Sequence, residues 1–318
     1  MIGTLATLAV VVLATAQTDT TFTVKPGLRL ELNQFGGSIE VKTWSKNAVR
    51  VVADHGSRTE IEIDRGAASI DIQASHWRGI PTTVDYRLTV PKWMALNLSG
   101  VNTDVTVEDS GGEINIETVQ GEVSVTGGAK VVQASSVEGE VRIANATGRI
   151  ECSSVNGGVH IERSSGPVLA SSVNGEITMR ALESGDVEAS TVNGGVSYDG
   201  AIRNDGSYRF STHNGEVEVA VPERANATVS VATFSGEFYS EFPIQMSEQR
   251  RGKRFNFTLG TGGARIELES FQGSIRLRRP GNLGGKSSVE YRYDSKTKQT
   301  VKTKDKDKDK HSGGDHEP

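Results

Sequence analysis

The chain is poor in the residues that carry most protein chemistry. Of its 318 residues one is cysteine, Cys152, so no intrachain disulfide can form and no zinc site can be built from thiolates. Histidine is scattered over six positions, His55, His76, His160, His213, His311 and His316. With no G-x-S-x-G and no H-E-x-x-H string in the chain, no nucleophile can be paired with a base. Gly284-Gly285-Lys286-Ser287-Ser288 has the ending of a phosphate-binding loop, but Pro280 stands where its first glycine belongs, and no helix follows. Basic excess is missing too. The formal charge is −5, which leaves no electrostatic footprint for nucleic acid. Helical spacing of useful length is absent, and beyond the first residues no apolar stretch is long enough to cross a bilayer.

What the chain does have is glycine, 36 residues of it, without a collagen triplet. The glycines belong to a repeat, S-[ST]-V-[NE]-G, at 135–139, 153–157, 171–175 and 190–194. Its turn glycines are Gly121, Gly139, Gly157, Gly175, Gly194, Gly215 and Gly236, with weaker copies at Gly100 and Gly273. Two and four residues after each glycine the chain is apolar, as at Val123/Val125, Val141/Ile143 and Val159/Ile161. Seven and five residues before it stand pairs such as Val132/Ala134 and Ile150/Cys152. This period of two, rich in β-branched residues, marks strands with one buried face.

Each unit therefore holds two short strands joined by a Val-Asn-Gly corner, where asparagine and glycine suit a left-handed backbone. One unit cannot close a core, whereas stacked units can, each adding about 4.8 Å of sheet. The expected fold is all-β: a β-solenoid or β-helix-like stack of 18–21-residue two-strand repeats, regular over about 100–240. The flanks are expected to be β-rich caps, with Phe234, Phe238, Tyr239, Phe242, Phe255 and Phe257 gathering at the C-terminal end. A propeller blade would need roughly 40 residues.

Residues 1–16, MIGTLATLAVVVLATA, read as a signal peptide ending in small-x-small before Gln17, although no lysine or arginine stands near the start. The expected domain spans 17–281, and 282–318 reads as a disordered charged tail. That tail carries nine Lys/Arg and seven Asp/Glu and shows no apolar face.

Three polar columns are candidate surfaces. One step after the turn glycine, Glu122, Glu140, Glu176, Glu216 and Glu237 make an outward acidic ladder, interrupted by Gly158 and Gly195. Carboxylates one coil apart could share a cation such as calcium, or they are simply the polar half of an alternating strand. Asn156, Asn174, Asn193 and Asn214 align as an amide ladder, and Ser135, Ser153, Ser171, Ser190 and Ser211 as a hydroxyl column. Cys152 falls among alanines of the inward column and reads as a packing residue. N-x-[ST] acceptors occur at Asn97, Asn145, Asn226 and Asn256.

The segment 84–91, VDYRLTVP, followed by serial N-G-x-[VI] units and then EVEVAVP at 216–222, resembles the "putative adhesin" family of bacterial β-strand-repeat proteins. The likeness covers roughly 22–279. It implies a secreted or envelope-associated β-repeat protein without known catalysis and carries over no catalytic, cofactor-binding or metal-binding residue. The expected function is a non-enzymatic scaffold for an envelope glycan or protein, periplasmic, cell-surface or secreted, without cofactor, nucleic-acid partner or transmembrane segment in the mature chain. A regulatory partner in envelope-stress signalling and a polysaccharide-acting β-helix enzyme are the alternatives.

Overall fold

The computed structural model describes residues 15–76, 83–242, 247–248, 253–281, 289–294 and 299–304. Secondary structure among them is all strand, without a helix. From residue 114 on, each coil is two strands that meet at the turn glycine, whereas Arg29–Trp44 and Ala95–Ser110 each run through the corner as one strand. Val131–Glu138 leads through Gly139 into Val141–Ala144, and Arg149–Ser154 through Gly157 into Val159–Glu162.

First strands pair in parallel with first strands, and second with second. Val132 lies on Ile150 and Val141 on Val159, an eighteen-residue offset that the repeat specifies. The alternating residues face each other in one continuous core. Val123, Val141, Val159, Ile177, Val196 and Val217 are all fully buried in it. Ala134, Cys152, Ala170 and Ala189 fill the narrower inward column as expected from the sequence. Burial without a cationic neighbour pushes the Cys152 thiol up to about 12, so this sulfur is inert packing.

The corner works differently from the left-handed turn that its Asn-Gly pair suggested. Gly139, Gly157, Gly175, Gly194 and Gly215 are not among the residues with positive φ. Glycine is required there for space: a Cβ on Gly157 would stand 2.0 Å from the Gly139 carbonyl oxygen of the preceding coil. That close approach lets a buried hydroxyl stitch the corners together. Ser154 Oγ accepts from Gly157 N at 2.9 Å and donates to Gly139 O at 2.9 Å. Ser136, Ser172, Thr191, Thr212 and Ser270 make the same donation to the glycine one coil below. Left-handed backbone is found at the opposite corner instead, at Asp109, Asn145, Arg163 and Ala181.

At both ends the coils are out of chain order. The repeat beat predicts that the coil after 207–220 is 227–240. In the structure Ser207–Thr212 pairs with Ala264–Ser270, which in turn pairs with Ala227–Thr233. The Gly273 coil thus sits between those of Gly215 and Gly236. The N-terminal end mirrors this, with Arg29–Trp44 held between Ala95–Ser110 on one side and Ser69–His76 with Thr83–Pro91 on the other. Antiparallel strands then cover the outer coils, Thr59–Arg65 and Ala48–Gly56 at one end and Lys253–Leu259 at the other. Periodicity registers only the spacing along the chain, so it could not reveal insertion.

The inserted C-terminal coil is locked by buried charge. Arg278 bonds Glu218 on one neighbouring coil and lies 3.5 Å from Glu241, just past the other. The Arg279 amide donates to Glu241 at 2.8 Å.

Two further expectations from the sequence change. Gly100 does not head a repeat corner, because it aligns with Thr118. Thr103 holds the corner position, its carbonyl lying 2.1 Å from where a Gly121 Cβ would be. Nor is 282–318 wholly without structure. Val289–Asp294 and Gln299–Lys304 form an antiparallel hairpin beside Tyr239–Ser240. Val289, Tyr291 and Tyr293 alternate with charged residues in VEYRYD, enough β-propensity for a short strand. The rest of that segment lies outside the described residues, as does the expected leader up to residue 14. The first strand, Thr15–Thr23, begins two residues before the expected cleavage point.

Candidate functional site

The repeat motif puts valine two residues before the turn glycine, out of phase with the buried positions. Counting back from Gly157, Ser154, Cys152 and Ile150 face inward, so Val155 must face out. It does, at 39% exposure, as do Val101, Val119, Val137, Val173 and Val192 at 40–45%. Phe35 extends this column at the N-terminal end, between Gln34 and Gly36, which pair with Gly100 and Asn102 either side of Val101. His213, Phe271 and Phe234 extend it at the other. The latter rings stack face to face, 4.7 Å apart at 6° and 4.7 Å apart at 4°, in the interleaved order of their coils.

The result is one crest along the line where first strands pass into second, nine apolar side chains and the His213 ring on ten successive coils. At one coil per roughly 4.8 Å it runs about 40 Å. Isolated exposed valines need no explanation, but a contiguous exposed apolar line of this length does.

Stacked amides border the crest. Asn174 Nδ2 donates to Asn156 Oδ1 at 2.8 Å, Asn193 to Asn174 at 2.9 Å and Asn214 to Asn193 at 2.8 Å. Their backbones also pair coil to coil, Asn156 N donating to Val137 O at 2.8 Å and Asn174 N to Val155 O at 2.8 Å. The amide ladder expected from the sequence is therefore a continuous hydrogen-bonded rail, and it holds the crest residues in register. Ser135, Ser153, Ser171, Ser190 and Ser211 lie half-buried on the other side of the crest.

The acidic ladder faces outward beyond the amides. Glu122, Glu176 and Glu216 are exposed, while Glu140 and Glu237 are half-buried. It does not form an uninterrupted line of free carboxylates. Arg142 bonds Glu122 at 2.8 Å and also Glu140, Arg276 bonds Glu216, the Tyr239 hydroxyl donates to Glu237, and Thr178 donates to Glu176 at 3.2 Å. Asp104, Glu122, Glu138, Glu140, Glu176 and His160 line a shallow groove of about 830 Å³ on this side. Burial, and then the Arg142 charge, holds the His160 imidazole below its ordinary value, so the ring adds no positive charge to the groove near neutral pH. Among the described residues no three His, Cys, Asp or Glu side chains are grouped as a metal site, and no helix is long and apolar enough to cross a membrane.

Sequence reasoning placed the acid, amide and serine columns but passed over the crest between them. The signal was available in the parity of the valine, which differs from that of every buried residue before the glycine.

The family described as Toastrack DUF4097 matches this chain over residues 14–278. No curated protein matches it. Among solved structures, a putative adhesin from Parabacteroides distasonis is similar at 11% identity and a TM-score of 0.48, over 82% of this chain and 97% of that one. A putative lipid binding protein from the same organism is similar at 12% identity and a TM-score of 0.44, over 82% and 96%. A putative cell adhesion protein from Clostridium sporogenes covers 83% of this chain and 100% of its own at 9% identity, with a TM-score of 0.23.

Proposed function

Because this chain belongs to the Toastrack DUF4097 family, a family of β-repeat proteins, we propose that it is a non-enzymatic binding scaffold of the bacterial envelope, working through the crest. On this reading residues 1–16 are a leader removed on export, 17–281 the binding domain and 282–318 a charged tail. The partner is an extended glycan or a protein, met outside the cytoplasm.

The observation that carries the proposal is the crest itself. A solenoid does not need nine aligned apolar side chains partly exposed to water, and burying the exposed part against a partner recovers about 25 cal/mol for each Å² of apolar surface removed. The amide rail supports the reading because it fixes the crest before a partner arrives, which lowers the entropy lost on association.

The test is capture from a native envelope fraction by the full chain and by a Val137→Ser/Val155→Ser/Val173→Ser variant. Saturable capture of a glycan or protein, lost in the variant while its β-sheet circular dichroism is unchanged, is the expected result. Equal capture by both would overturn the crest as the binding surface.

A further inference from the structure

The crest has a charge setting that narrows the chemistry of its partner. On the amide side lie Asp104, Glu122, Glu138, Glu140, Glu176 and Glu216. On the serine side lie Glu117, Glu151, Glu188, Glu267 and Glu269. Five arginines on these same flanks are each held by a carboxylate: Arg142 by Glu122 at 2.8 Å, Arg149 by Glu151 at 2.5 Å, Arg209 by Glu267 at 2.9 Å, Arg254 by Glu269 at 3.2 Å, and Arg276 by Glu216, against the eleven acids named. Carboxylates therefore stand in excess along both sides of the apolar line. Both flanks repel nucleic acid, anionic bilayers and acidic glycans, since like charges brought together across an interface cost affinity.

The same charge bears on a second copy of this chain: two crests laid against each other would bring their carboxylate flanks into opposition. A second copy of this chain docking crest to crest is thus the wrong occupant.

We propose that the crest docks a cationic amphipathic polypeptide, one whose apolar side chains seat on Val101 to Phe234 while lysines or arginines on both edges reach the flanking carboxylates. This rests on the binding function proposed above and specifies its partner as protein. The carboxylate rows set orientation and encounter rate, and the apolar line supplies the burial.

The experiment uses the full chain and two synthetic peptides of about 12 residues, long enough at roughly 3.3 Å per residue to lie along the crest. One alternates leucine with lysine, the other leucine with glutamate. Binding is followed by titration calorimetry and by the methyl resonances of the crest valines. The expected result is saturable binding of the lysine peptide alone, with shifts at Val137, Val155 and Val173. Affinity should fall at least about ten-fold in the Val137→Ser/Val155→Ser/Val173→Ser variant. It should also fall in high salt, where exposed charges are screened.

Equal binding by the serine variant would mean adsorption to charge alone and overturn the proposal. So would binding of the glutamate peptide, or no binding of either. If the lysine peptide fails while a neutral glycan is captured through the same valines, the binding function stands and this inference falls.

Discussion

Gly157 offers a sharp test of the reason glycine recurs at the corner. An added Cβ would lie 2.0 Å from the Gly139 oxygen and 2.4 Å from its carbonyl carbon, both main-chain atoms of the coil below. No rotamer can relieve this, so the two coils must part by more than an ångström. Parting them breaks the Ser154 bridge to Gly139 and strains the bond from Asn156 N to Val137 O at 2.8 Å. Two hydrogen bonds at about 1 kcal/mol each, together with about 1–3 kcal/mol of overpacking, put the cost of Gly157→Ala near 4 kcal/mol.

The control is the glycine one residue past a corner two coils away. A Cβ on Gly195 would meet only Glu216 O, at 3.3 Å, and the Glu176 side chain, at 4.0 Å. There the neighbour need give by only a few tenths of an ångström, which the smaller entropy of the unfolded alanine chain offsets, so Gly195→Ala should stay within about 1 kcal/mol of the parent. Thermal unfolding followed by circular dichroism reads both. For a domain of this size roughly 4 kcal/mol lowers Tm by about 8–16 °C. A Gly157→Ala variant within 2 °C of the parent, or equal losses at both positions, would refute the steric argument, the second by showing that any side chain in this region is harmful.

Ser154→Ala should cost about 1–3 kcal/mol, because Gly139 O and Gly157 N lose their shared partner in a buried corner. Ser154→Thr should fold normally, as Thr191 and Thr212 already serve that column, and urea unfolding separates the two. Arg278→Met should destabilise by about 3–5 kcal/mol by removing the buried guanidinium that bonds the half-buried Glu218 and lies beside the buried Glu241. Adding Glu218→Gln and Glu241→Gln should restore part of the loss in the same unfolding assay. Cys152, its thiol raised to about 12, stays protonated at pH 8.5, so iodoacetamide should label it only after unfolding. Labelling of native protein, read by mass, would contradict its placement in the core.

The repeat coils were legible because their physics is local and periodic. Val141 lies over Val159 for the same reason that each sits two residues past a corner glycine. The columns of Glu122, Asn156 and Ser153 followed from the same arithmetic. The ends were not legible, because whether 227–240 or 264–278 pairs with 207–220 depends on contacts such as Arg278 with Glu218, which leave no periodic trace. The crest escaped for another reason: valine is scored as a core residue by type, and only its parity against Ser154 and Cys152 places it outside.

The interleaved ends also decide how such a molecule can change size. The coil between 29 and 44 is gripped by segments that follow it, and the coil between 264 and 278 by segments that precede it. Neither terminus can gain or lose a coil without undoing a closure. The coils from 114 to 200 join only their sequence neighbours, in near-identical register. An eighteen-residue duplication or deletion there moves two finished ends apart or together by one step of roughly 4.8 Å, and lengthens or shortens the crest by one side chain. The protein is in this sense a ruler with sealed ends and an adjustable middle, whose reach evolution can set by copying a single unit.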